Sequence, residues 1–188
     1  MVYQHDDGRT EDAQYLMRGR DVYLIKGGNY EHMWVDGNGI YRYEDTSHSD
    51  ATYYTLRDTL GAAGSLWLPR SMEIGKAFRR EPWVTFYKKD GCTPYAGPTQ
   101  HLTWALLASR MDKATLPSGL VARNVVELYV AGSTQVKEFW FERYWYALGT
   151  AGADGRTEAR GLVQWWARNE DGQVVAHSWL ADLPQGRP

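Results

Sequence analysis

The chain has 188 residues, with 21 Lys and Arg against 23 Asp and Glu mixed along it and a formal net charge of -2. That length fits one domain with a sizeable core, and the charge balance gives no electrostatic support for binding nucleic acid or an anionic membrane surface. The single cysteine, Cys92, excludes an intrachain disulfide, and no apolar run approaches the ~20 residues a membrane-spanning helix needs.

In chain order, the opening "MVYQHDDGRTEDAQ" is acidic and polar without the apolar run of a signal peptide. Residues 1–15 therefore read as a flexible end. Turn dipeptides then punctuate the chain: Asp7-Gly8, Asp36-Gly37, Asn38-Gly39, Asp90-Gly91, Asp154-Gly155 and Asp171-Gly172. Such pairs tolerate the positive φ that tight hairpins demand. Between them, 21–25, 30–35, 40–45 and 52–56 are short stretches rich in Tyr, Val, Trp and Thr, and they predict a meander. Residues 83–89 and 124–130 predict further strands.

The segment "HLTWALLASRM" (101–111) is ambiguous. Leu102, Ala105, Leu106 and Ser109 have helical spacing, whereas Leu102, Trp104 and Leu106 alternate as in a strand. Residues 149–161 read as a long flexible connection and 182–188 as a frayed tail. The expectation is one all-β domain over 1–188: a mainly antiparallel, curved sheet, half-barrel or β-sandwich, with at most one short helix.

Aromatic content is the unusual quantity, with 9 Trp and 13 Tyr against 4 Phe. Rings with a polar handle suit surfaces that are half wet. They concentrate in two hairpins. The turn at 169–172 folds 161–168 back on 173–180, with Arg168 opposite Gln173, Trp166 opposite Val175 and Gln164 opposite His177. Alternation then puts Leu162, Gln164, Trp166 and Arg168 on one face and Val163, Trp165 and Ala167 on a core face with Val174, Ala176 and Ser178.

The second hairpin joins 124–130 to "EFWFERYWYA" (138–147). Val126, Leu128 and Val130 go to the core, with Phe139, Phe141 and Trp145 as their partners. Glu138, Trp140, Glu142, Tyr144 and Tyr146 then share an outer face with Glu127 and Tyr129. A two-residue register shift preserves these faces, and a one-residue slip destroys them.

That outer face has the composition of a sugar platform. A pyranose presents an apolar C–H face that stacks on Trp or Tyr and a rim of hydroxyls that seeks carboxylate, amide and guanidinium partners. Each stacked ring contributes on the order of 1 kcal/mol beyond area burial. Trp140, Tyr144, Trp166, Tyr129, Glu142, Gln164 and His177 are the expected ligand-binding residues. The competing expectation is that the N-terminal meander covers these rings as a second core.

Catalytic signals are sparse. A glycosidase needs two carboxyl groups about 5–9.5 Å apart, and Glu138 and Glu142 on one strand are roughly 13 Å apart at about 3.3 Å per residue. Glu127 across the hairpin from Glu142 remains a candidate pair. No nucleophile elbow, P-loop, zinc-protease or dinucleotide motif occurs. The histidines are scattered. "DTSHSD" (45–50) is a weak metal candidate through Asp45, His48 and Asp50. "DGNGIYRYEDTS" opens like a calcium loop but has Tyr41 and Ser47 where Gly and Glu are needed. No cofactor, metal or catalytic residue is expected.

The series "SLWLPRSMEIGKAFRREPWVTFY", "NVVELYV", "ERYWYALG" and "GLVQWW" resembles bacterial envelope and secreted proteins of β half-barrel type. Their pattern is a Pro–apolar–Gly-Lys turn leading to a strand, then a "YWYAPGVGLVK"-like hairpin, and the likeness runs over residues 66–168. Here the tight "APGVGLV" turn is replaced by Ala147–Gly149, a Gly/Ala-rich insertion and Gly161–Val163. The resemblance implies a curved antiparallel sheet with a concave face, in the cell envelope or secreted, usually without enzyme activity.

The expected function is thus a non-catalytic binding domain whose aromatic-lined sheet face takes a carbohydrate or cell-wall glycan. The alternative is a structural or scaffold envelope module that cups an apolar ligand or a protein partner, as part of a larger parent protein or beside one. A hydrolase built on Glu142 and Glu127 stands third.

Overall fold

The computed structural model describes residues 1–27, 29–46, 52–57, 64–88, 90, 93, 100–134, 140–151 and 158–182. The protein is all-β, 74% strand, with no helix among the described residues. In chain order the strands are β1 (Val2–His5), β2 (Thr10–Arg18), β3 (Asp21–Lys26), β4 (Asn29–Val35), β5 (Gly39–Asp45), β6 (Thr52–Arg57) and β7 (Ser65–Pro69). They continue with β8 (Ala77–Arg80), β9 (Trp83–Lys88), β10 (Gln100–Thr115), β11 (Val121–Thr134), β12 (Trp140–Ala151), β13 (Glu158–Arg168) and β14 (Val174–Asp182). All ladders between them are antiparallel.

Sequential hairpins run from β1 to β5, and β10 to β14 form a second series that returns to pair β14 with β1. Because β10 also pairs with β9, and β9 with β6 and β6 with β5, the sheet forms a nearly closed, barrel-like wall of 12 strands. Near-closure leaves little of the exposed edge that an open sheet of this size would carry. Between β5 and β10 the wall forks. The β6–β9 ladder joins one end of these strands, while β7 pairs with β5 at Gly39–Arg42 and β8 with β10 at Trp104–Leu107. At the β5–β7 contact a Cβ on Gly39 would stand 2.2 Å from the Leu68 carbonyl oxygen, and its φ is +150°. Glycine is therefore required there.

The ambiguous segment 101–111 lies wholly within β10, so no helix forms. Trp104, Leu106 and Ala108 are buried and Leu107 is exposed, and the long ladder to β11 uses this alternation. Pairing on both sides outweighs the helical propensity of Ala and Leu. The expected flexible end at 1–15 is likewise corrected: it forms β1 and the start of β2. Buried Tyr3 donates its hydroxyl hydrogen to the Leu162 carbonyl at 2.7 Å, and the Met1 amine bonds the Ala13 carbonyl at 3.0 Å. Polar side chains on the solvent face of these strands gave them the look of a tail. β12 and β13 also extend into the expected connection at 149–161, to Ala151 and from Glu158. Residues 152–157 and 183–188 lie outside the described set.

Two groups of buried side chains form the core. One contains Tyr3, Leu24, Val125, Val163 and Leu180, and is joined by Leu116 from the β10–β11 turn. Ser118 of that turn donates to the Leu180 carbonyl at 2.7 Å, which ties the tip of the hairpin to β14. The other contains Trp67, Trp104, Leu106, Leu128, Val130, Tyr144 and Leu162.

Candidate functional site

The β11–β12 register decides which rings face inward. Leu128 pairs with Tyr144, Val126 with Tyr146 and Val130 with Glu142. Paired residues share a face, so Glu142, Tyr144 and Tyr146 lie with the core side of β11. The expected faces of β12 are displaced by one residue and therefore inverted. Phe141, expected in the core, lies on the outer side and keeps 43% of its surface; Trp145 also turns to that side, where its indole meets Glu127, while it still packs against the core group of Tyr3 and Val125. The physical reason is that rings occupy both alternating sets of β12, so periodicity alone does not say which set is covered.

In the β13–β14 hairpin Trp166 pairs with His177 and Gln164 with Trp179. This differs from the expected pairing by two residues and leaves the faces of 164–167 intact, but irregularities at either end move Leu162, expected outside, into the core and leave Val174, expected in the core, exposed opposite Arg168. The expected ligand set is therefore divided. Tyr129, Gln164, Trp166 and His177 are outside, Glu142 and Tyr144 are inside, and the side chain of Trp140 lies outside the described set, as do Glu138 and Phe139.

On the inner side, the rings meet across the barrel. Trp67 of β7 packs edge-on to Tyr144 of β12 with centroids 5.5 Å apart, and to Trp104 of β10 at 5.1 Å. Tyr144 also neighbours Tyr146 and Trp165 at 6.2 and 6.4 Å. Charged groups lie among them. Arg42 of β5 sits 4.2 Å over the Trp67 ring and gives Nη2 to Glu31 Oε2 at 3.1 Å, while Lys26 reaches Glu31 Oε1 at 3.4 Å. Burial pushes the Glu31 carboxyl up, but the two cations outweigh it and hold the group below the usual carboxylate range.

Glu142 shifts the other way. Desolvation raises it above the usual range, and Glu31 adds to this; Arg42 and the nearby polar ends of Tyr144 and Trp165 oppose it incompletely. Two interior carboxyl groups thus differ in character because one holds two cations and the other holds none directly. The interior phenols are raised mainly by burial: Tyr144 and Tyr146 strongly, and Tyr15 of β2 to about 12. Tyr15 nevertheless keeps 43% of its surface.

The outer side carries a different network. Glu127 accepts from Trp145 Nε1 at 2.8 Å and from Ser109 at 3.0 Å, and pairs with Arg143 at 3.3 Å. Arg143 lies over the Tyr129 ring at 4.2 Å and the Trp166 ring at 5.1 Å, and also bonds the Tyr129 hydroxyl. His177 links Asp6 at 3.0 Å to Gln164 at 2.8 Å. The polar groups of this face are mostly spent on one another. The exterior of β3–β5 is aromatic too, with Tyr23 stacked on His32 at 4.3 Å and Trp34 on Tyr41 at 3.9 Å.

The Glu127–Glu142 pair is corrected by the same register. Glu127 pairs with Trp145, not Glu142, and the two carboxyl groups lie on opposite sides of the sheet. They cannot flank one bond. Among the described residues no group of three or more His, Cys, Asp and Glu is placed to hold a metal ion, and no helix is long and apolar enough to cross a membrane. His48, Asp50 and Cys92 lie outside the described set.

Sequence reasoning missed Glu31, Arg42, Lys26, Tyr15 and Trp67. The signal was present as charged residues alternating with apolar ones in "YEHMWV" and "IYRYED", which reads equally as a solvent face. No family model, curated protein or solved structure matches the chain.

Proposed function

We propose that the chain is a non-catalytic binding protein whose aromatic-lined inner sheet face takes a carbohydrate or glycan segment. The observation that carries this reading is the interior set itself: accessible Tyr15, the rings of Tyr144, Tyr146 and Trp165, and the carboxyl of Glu142. It combines planar apolar surfaces with hydrogen-bonding groups that the fold has not fully used, which is what a hydroxyl-rimmed ring requires. The outer face fits this ligand less well, because Arg143 already occupies its rings and Glu127 has committed both oxygens. A place in the cell envelope or beyond it accords with such a ligand.

A second reading, a scaffold module that meets a protein partner, is favoured by one feature. Leu107, Tyr129 and Phe141, on neighbouring strands of the outer face, keep 39%, 37% and 43% of their surfaces.

Retention on immobilised saccharides, compared for wild type, Tyr15→Ala, Glu142→Gln and Trp166→Ala, separates the two. The interior reading expects the first two variants to weaken binding about tenfold and Trp166→Ala by less than about twofold. Equal retention of all four proteins, or a loss confined to Trp166→Ala, would defeat it.

A further inference from the structure

The interior carboxyl groups are not equivalent, and the difference points to the chemistry of the ligand. Glu31 has a cation on each oxygen, Lys26 on Oε1 and Arg42 on Oε2. Glu142 forms no ion pair among the described residues. On the inner face it lies next to Tyr144 of its own strand and diagonal to Trp165 of β13, and Arg42 acts on it only through space. Yet Glu142 is half-buried rather than fully enclosed, so part of its surface remains open. The inner face beside it carries Tyr144 and Trp165, with Tyr146 next after Tyr144 along β12, and Tyr144 connects these rings to Trp67. That ring cluster already stabilises one cation, because the Arg42 guanidinium lies 4.2 Å over Trp67. Rings around a carboxyl with no cation of its own form the environment that binds an ammonium group, by ion pairing and by attraction to the ring faces.

We propose that the interior ligand carries a protonated amine, which seats against Glu142 beside Tyr144 and Trp165. The inference rests on the reading that the barrel interior takes a sugar, and it narrows that class to amino sugars with a free amine. A neutral sugar would meet the same rings but leave the carboxyl without a counter-charge. An anionic one would face Glu142 directly, since both nearby cations are held by Glu31.

The test is calorimetric titration of the whole chain with two probes, glucosamine oligomers and the matching N-acetylglucosamine oligomers. These have the same rings and hydroxyls and differ in the charge on nitrogen. Wild type is expected to bind the free amine about tenfold more tightly or better. Glu142→Gln, which keeps the shape and the hydrogen-bonding capacity, should bind both with nearly equal affinity. Equal binding of the two probes by wild type overturns the amine assignment while leaving the sugar site standing. So does a preference that survives in Glu142→Gln. Binding of neither probe by wild type overturns the assignment and the interior sugar site together.

Discussion

Glu127 and Glu142 lie on neighbouring strands and face opposite sides of the sheet: Glu127 is opposite Trp145, and Glu142 is opposite Val130. The first is a structural clamp and the second an interior group without a direct counter-ion. Glu127→Ala removes the acceptor for the Trp145 indole and the Ser109 hydroxyl and the partner of Arg143. Leaving such donors in a buried site costs about 1–3 kcal/mol. Urea denaturation of the variant should show that loss, with no change in saccharide retention.

Glu31 and Glu142 should have opposite pH signatures. The carboxyl of Glu31 is depressed in the folded state, so its stabilisation is present above the ordinary value near 4.5 and lost as pH falls through the folded value. Glu31→Gln takes the carboxylate away from Lys26 and Arg42, and breaking a buried pair of this kind costs about 3–5 kcal/mol at neutral pH. Denaturation curves of wild type and variant should converge in acid.

For Glu142 the sign reverses. Its folded-state value is raised, so its favourable contribution is complete below about 4.5 and is lost as pH rises through the folded value. Glu142→Gln should match wild type in acid and exceed it in stability at neutral pH. A variant less stable than wild type at pH 7 would contradict the assignment of Glu142 as a desolvated carboxyl without a direct counter-ion.

Indoles on the two sides should differ in their structural weight. Trp67 is 3% exposed and packs on Trp104 and Tyr144, so Trp67→Ala should cost about 3–5 kcal/mol and leave little folded protein. Trp166 is half-buried on the outer face against Trp145, His177 and Arg143. Its truncation should leave a cooperative melting transition at a modestly lower temperature.

Alkaline titration followed by tyrosinate absorbance tests the interior independently. Tyr3, Tyr144 and Tyr146 are shielded mainly by burial, and Tyr15 is raised to about 12. These phenols should not ionise near 10 with exposed tyrosines but in a later step that coincides with unfolding. A single transition near 10 for every tyrosine would contradict the fold.

The legible part of this fold lay in its turns. Asn169 accepts from Gln173 N–H at 2.9 Å and Gly172 has a φ of +76°, and the middle of that hairpin, 164–167, kept its predicted faces because the register differed by an even number of residues. β12 did not, since Phe141 and Trp145 are as apolar as Tyr144 and Tyr146 and only the ladder to β11 distinguishes them. Barrel closure was not legible either. The contact of Trp67 with Tyr144 joins strands far apart in sequence, and nothing in the local pattern of "SLWLP" announces it. The interior charges were hidden for a related reason: an inward Arg42 and an outward arginine have the same sequence neighbours until the sheet curves around one of them.

Hydroxyl-radical footprinting of Tyr15, Tyr146 and Trp166, with and without a bound saccharide, tests the location of the binding surface most directly. If ligand lies against the inner wall, Tyr15 and Tyr146 lose reactivity on saturation and Trp166 keeps its own. Protection of Trp166 alone, with the two phenols unchanged, would move the binding surface to the outside of the barrel and contradict the account.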